Sequence, residues 1–148
     1  ENIAPPAGCS VDFVTDFQLQ PEHALDLVGY DQVLFVDAAP HPEIGVRPQL
    51  SGNWGLTPIS GRFSFSAIVP AVDTTFTSHA LSPAAVLATY ERVMGSAPPP
   101  ACVLAIRGES FELGDPISAT GNANLDAAVA FYRALIEKIG ADPLTASS

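Results

Sequence analysis

Hydrophobic and polar positions along the chain fall into short runs with two different periods. Val11, Phe13, Thr15 and Phe17 alternate with Asp12, Val14 and Asp16, which predicts a strand over 11–17. Pro21 then stands at a first helical position, with Glu22 in the first turn where a carboxylate suits the helix dipole. Ala24, Leu25, Leu27 and Val28 give that short helix an apolar face, and Gly29 stops it. From Gln32 to Ala39 the chain is continuously apolar around Val33-Leu34-Phe35-Val36, as expected of a strand buried on both faces.

Pro40 to Ser60 lacks periodicity and is rich in Pro and Gly, so it reads as a long surface loop. Phe63, Phe65 and Ala67 alternate with Arg62, Ser64 and Ser66 in a half-exposed strand over 62–69. Ser82 as N-cap, Pro83 at N1, an apolar face of Val86, Leu87, Tyr90 and Val93, and a closing Gly95 specify the next helix. Ala101 to Ile106 is another apolar strand, and 108–121 is irregular. A last helix is expected over 124–139, with Leu125, Ala128, Val129, Tyr132, Leu135 and Ile136 at helical spacing.

This order of elements predicts a single α/β domain over residues 1–148, a three-layer αβα arrangement with a mostly parallel sheet. At 148 residues the chain has the length of one domain. Ligands of such sheets bind in the crevice beyond the carboxyl ends of the strands.

Composition narrows the partners. A net charge of −10 with six Lys and Arg in total argues against nucleic acid, whose binding depends on clustered cations. The same charge repels anionic membranes and suits solubility, a basic partner or a metal cation. Apolar runs are strand-length, well short of the ~20 residues a spanning helix needs. Cys9 and Cys102 form neither a CxxC pair nor a zinc-spaced cluster, which leads to the expectation of a reduced, cytoplasmic protein.

Few residues stand out chemically. Asp37 closes the most apolar strand, where a carboxylate projects toward the ligand crevice; a turn or cap role fits the same position. His79 lies in the segment that leads into the helix at Pro83, a placement that exposes a side chain on a rigid support. One carboxylate and one imidazole suit a borderline metal such as nickel or zinc, although two ligands do not complete a site. Asp16, near the end of the first predicted strand, is a third candidate, or an ordinary strand-end residue. His23 reads as a polar helix residue, and His41 and Trp54 as parts of the long loop. There is no GxSxG, HExxH or P-loop.

Phe35-Val36-Asp37-Ala38-Ala39 at a strand end, followed by Thr77-Ser78-His79-Ala80-Leu81-Ser82-Pro83 opening a helix, resembles the hydrogenase maturation endopeptidases. Asp16-Phe17-Gln18-Leu19-Gln20-Pro21-Glu22 is similar to the segment after that family's second strand. The likeness runs from Val11 to the last helix. It is nearest to the branch serving NAD-reducing, bidirectional soluble hydrogenases. It implies a protease that removes the C-terminal extension of a nickel-loaded hydrogenase large-subunit precursor. The metal-contacting residues would be Asp37 and His79, with Asp16 as a further catalytic acid and nickel recognised in the substrate.

The family opens with a strand, a Gly-Asn turn and an acidic segment that supplies the first metal-binding carboxylate. Nothing before Val11 matches these, and residues 1–10 look like the loop that would follow. The resemblance therefore implies either that an opening βα unit of about 30 residues is absent here or that the chain is a short relative of the family. Two other readings fit the same residues: a non-catalytic α/β module that binds a metal or a protein, and an unrelated small α/β enzyme.

Overall fold

The computed structural model describes residue 5 and residues 7–39, 61–72 and 81–141. It is a small mixed α/β fold. In chain order come a 3-10 helix Pro21–Leu27, strands β1 (Val33–Ala39) and β2 (Phe63–Ile68), helix α1 (Pro83–Met94), strand β3 (Ala101–Arg107) and helix α2 (Ala119–Ala141). The sheet has the order β1-β3-β2. Val33 N–H donates to Pro100 O and Gly108 N–H to Ala39 O, both at 3.0 Å, so β1 and β3 start and end together and run parallel. Arg107 N–H donates to Arg62 O at 2.9 Å, which joins the end of β3 to the start of β2 and sets that pair antiparallel.

Two compact units make up the chain. The first comprises Glu1–Phe13, Val36–Ser66 and Leu104–Ser148, the second Val14–Phe35 and Ala67–Val103. Within the second, Val86, Leu87 and Tyr90 of α1 share a core with Ala24 and Leu27 of the 3-10 helix and Ala101 of β3. Leu19, Val33, Phe35, Ile68 and Leu81 pack around it. Helix α1 forms as its punctuation requires. The Ser82 hydroxyl accepts from Ala85 N–H at 3.1 Å, Pro83 follows, and Gly95 closes the helix at φ 67° in the left-handed conformation. Backbone bonds from Leu81 N–H to Leu19 O and from Ala71 N–H to Ala84 O, both 3.1 Å, tie flanking segments to this core.

In the first unit the Phe131 ring of α2 packs on Phe63, with centroids 5.3 Å apart, and meets Phe65 at 5.0 Å in an edge geometry. These are the inward positions of the alternating β2 pattern, and both strand rings are buried.

Several expectations need correction. Residues 11–17 are irregular rather than a strand, with Phe13 77% and Phe17 107% exposed. Alternation specifies a strand only where a neighbour supplies ladder bonds and a face to bury. The helix at Pro21 is 3-10 and buries only Ala24 and Leu27, leaving Leu25 and Val28 exposed. Strand β1 is not buried on both faces: among the described residues it stands at the sheet edge, and Val36 is 59% exposed. Val93, expected on the apolar face of α1, is also exposed.

Helix α2 begins five residues earlier than its apolar spacing indicates. Its cap is Ser118, whose hydroxyl accepts from Gly121 N–H at 3.0 Å. Gly121, which reads as a break, lies inside the helix. A Cβ there would come within 2.9 Å of Ile117 Cγ2, so the glycine lets that side chain close over the first turn. Among the described residues, no helix is long and apolar enough to cross a membrane.

Candidate functional site

Asp37 stands in the C-terminal half of β1, two residues from the strand end, with its side chain exposed. Its Oδ1 accepts from the backbone N–H of Ala38 at 2.8 Å. The second oxygen retains its acceptor capacity. Because β1 runs parallel to β3, Asp37 lies near the carboxyl end of the strand, the end at which parallel sheets position polar groups for ligands.

Asp16 lies in the second unit, ahead of the 3-10 helix. Its side chain is 47% exposed, yet both oxygens are engaged. Oδ1 accepts from Phe17 N–H at 2.6 Å, and Oδ2 lies 3.3 Å from His23 Nε2. His23 is in turn fixed from its other nitrogen, since Nδ1 accepts from the backbone N–H of Gln20 at 2.8 Å. That donor assigns the tautomer of the neutral ring: Nδ1 carries the lone pair, so the proton is on Nε2, the atom nearest Asp16.

His79 lies outside the described residues, as do His41 and Trp54. Of the three predicted site residues, Asp16 and Asp37 are therefore described and His79 is not. Among the described residues, no three His, Cys, Asp or Glu side chains gather around one point suited to a metal ion.

His23 is the residue that sequence reasoning passed over. A single histidine in a polar stretch has no periodicity to mark it. The available signal was its spacing from Gln20: an N-cap residue and a polar side chain three positions later, with Pro at N1, is the pattern in which the later side chain reaches back to the cap.

Cys102, at the start of β3, is fully buried, and burial pushes its thiol up to about 11. A thiol so held is a small core residue, not a nucleophile or a metal ligand at neutral pH. Cys9 is exposed.

No family model, curated protein or solved structure matches this chain.

Proposed function

We propose that this chain is a cytoplasmic endopeptidase of the hydrogenase maturation type, which removes the C-terminal extension of a nickel-loaded hydrogenase large-subunit precursor. In this reading Asp37 and His79 contact the nickel that the substrate already carries, and Asp16 is an additional carboxylate of the reaction. Contact with the metal holds the scissile bond in register with the protein's acidic groups. Positioning of this kind is worth several kcal/mol of a hydrolytic barrier. The observation that carries the reading is Asp37 itself: an exposed carboxylate at the C-terminal end of a parallel strand, oriented by the amide that follows it.

The same proposal includes a larger sheet. Strand β1 is strongly apolar, yet among the described strands it occupies an edge, where Val36 is 59% exposed. Exposed apolar edge strands invite pairing. In the proposed protein this sheet belongs to a three-layer, mostly parallel α/β domain.

The test is cleavage of a purified nickel-loaded precursor by the full-length protein, followed by intact mass. The expected result is loss of the C-terminal extension only when nickel is present, abolished by Asp37→Ala and by His79→Ala. Cleavage that ignores nickel would overturn the reading. Binding of the precursor without cleavage, unaffected by both substitutions, would replace it with a non-catalytic binding module.

A further inference from the structure

The second carboxylate of the proposed site sits in a backbone segment with no regular structure, which by itself would leave its side chain free to rotate. Instead two hydrogen bonds and one close polar contact hold it in sequence. The Gln20 amide holds His23 Nδ1 at 2.8 Å, His23 Nε2 faces Asp16 Oδ2 at 3.3 Å, and the Phe17 amide holds Asp16 Oδ1 at 2.6 Å. The histidine side chain is 14% exposed while that of Asp16 is 47% exposed. The imidazole thus lies on the protein side, and the carboxylate keeps an open face toward solvent. An ionised carboxylate has about four lone-pair positions, and these two contacts leave the rest available to a substrate. An exposed ion pair formed only for stability contributes little. A partly buried ring, hydrogen-bonded at Nδ1 and with Nε2 3.3 Å from the carboxylate, does something more specific: it favours one orientation of the acid.

We infer that His23 is a positioning residue, whose imidazole holds the Asp16 carboxylate in the orientation that the reaction uses. The catalytic half of this inference rests on the endopeptidase reading; the orientation of Asp16 does not. His23 touches neither substrate nor metal and acts through Asp16. Its anchor is the backbone of the 3-10 helix, so the orientation of the acid is set by the amide at position 20.

Two measurements on the full-length protein test this, one of them independent of activity. The χ1 scalar couplings of Asp16 should report a single rotamer in the parent protein, averaged rotamers in His23→Ala, and a single rotamer again in His23→Gln. Glutamine can accept from Gln20 N–H through Oε1 and donate to Asp16 through Nε2. In cleavage of the nickel-loaded precursor, His23→Ala should lower kcat about tenfold with KM within about twofold, and His23→Gln should recover most of the loss. The double variant Asp16→Asn/His23→Ala should be no slower than Asp16→Asn alone, because residues acting as one unit are not additive. Asp16 remaining in one rotamer in His23→Ala would overturn the proposal, as would an equal kcat loss in the Asp16→Asn background. A parent protein that cleaves nothing would overturn the endopeptidase reading, and the rotamer measurement would then decide the positioning claim by itself.

Discussion

The side-chain amide of Asn124 on α2 donates to the backbone carbonyl of Arg107, the last residue of β3, at 2.9 Å. Asn124 is 3% exposed and is the buried polar residue of the described core. The carbonyl belongs to the last residue of β3, so the bond ties the opening turns of α2 to the end of that strand. Asn124→Ala removes the donor and leaves a backbone acceptor without it. The expected cost is about 1–3 kcal/mol, read as a lower urea midpoint with an unchanged slope.

Phe131 joins the same helix to β2. Its ring is half-buried, against Phe63 at 5.3 Å and edge-on to Phe65 at 5.0 Å. Each aromatic pair adds about 0.5–1.5 kcal/mol to the burial of the ring. Phe131→Ala should therefore cost about 2–4 kcal/mol, and Phe131→Leu, which retains much of the volume, clearly less. Equal effects of the two substitutions in chemical denaturation would overturn this, since the volume that leucine retains would then recover none of the loss.

Features legible in the sequence are those whose cause is local. Ser82, Pro83 and Gly95 specify α1 to the residue because cap and stop are contained in the segment itself. Phe63 and Phe65 announce β2 because both rings are buried on one face of that strand. Residues 11–17 carry an equally regular alternation and form no strand, because a strand needs a ladder neighbour that its own pattern cannot provide. The start of α2 was obscured by Gly121, which serves close contact with Ile117 and not a break. In the candidate site, Asp37 was legible from its place after an apolar run. The Asp16–His23 contact was not, since it joins two polar residues whose relation depends on the path of the chain around Pro21.

Ser82 offers a direct measure of how much the α1 cap contributes. Its hydroxyl accepts from Ala85 N–H at 3.1 Å, and the helix it opens buries Val86 and Leu87 in the second unit. Ser82→Ala should cost about 1 kcal/mol, and Ser82→Gly only a few tenths relative to serine. Amide exchange checks the cause: protection should fall first in the opening turn of α1 and much less near Met94. Uniform loss along the helix would point to a role for Ser82 outside the cap.

The two cysteines should separate cleanly by environment. Cys9 is exposed and Cys102 is buried, so iodoacetamide at pH 8 should add one group to the native protein, on Cys9, and two in urea. Burial raises the Cys102 thiol from 9.0 to about 11. A folded state that holds a proton more tightly than the unfolded chain gains stability wherever that proton is bound in both states. This contribution is complete below pH 9 and is lost as pH rises from 9 through about 11. Tyr132 is shifted upward too, again by burial, and adds to alkaline destabilisation with the same sign. The informative quantity is therefore the difference between the parent protein and Cys102→Ala. Urea unfolding across pH 8–11 should show the parent losing stability more steeply, by roughly 1 kcal/mol per pH unit within that window, and the two slopes should coincide below it. Parallel slopes throughout would mean that Cys102 ionises in the folded protein as it does in the unfolded chain. Double modification by iodoacetamide without urea should then accompany them, since both results depend on access of water and base to the same sulfur.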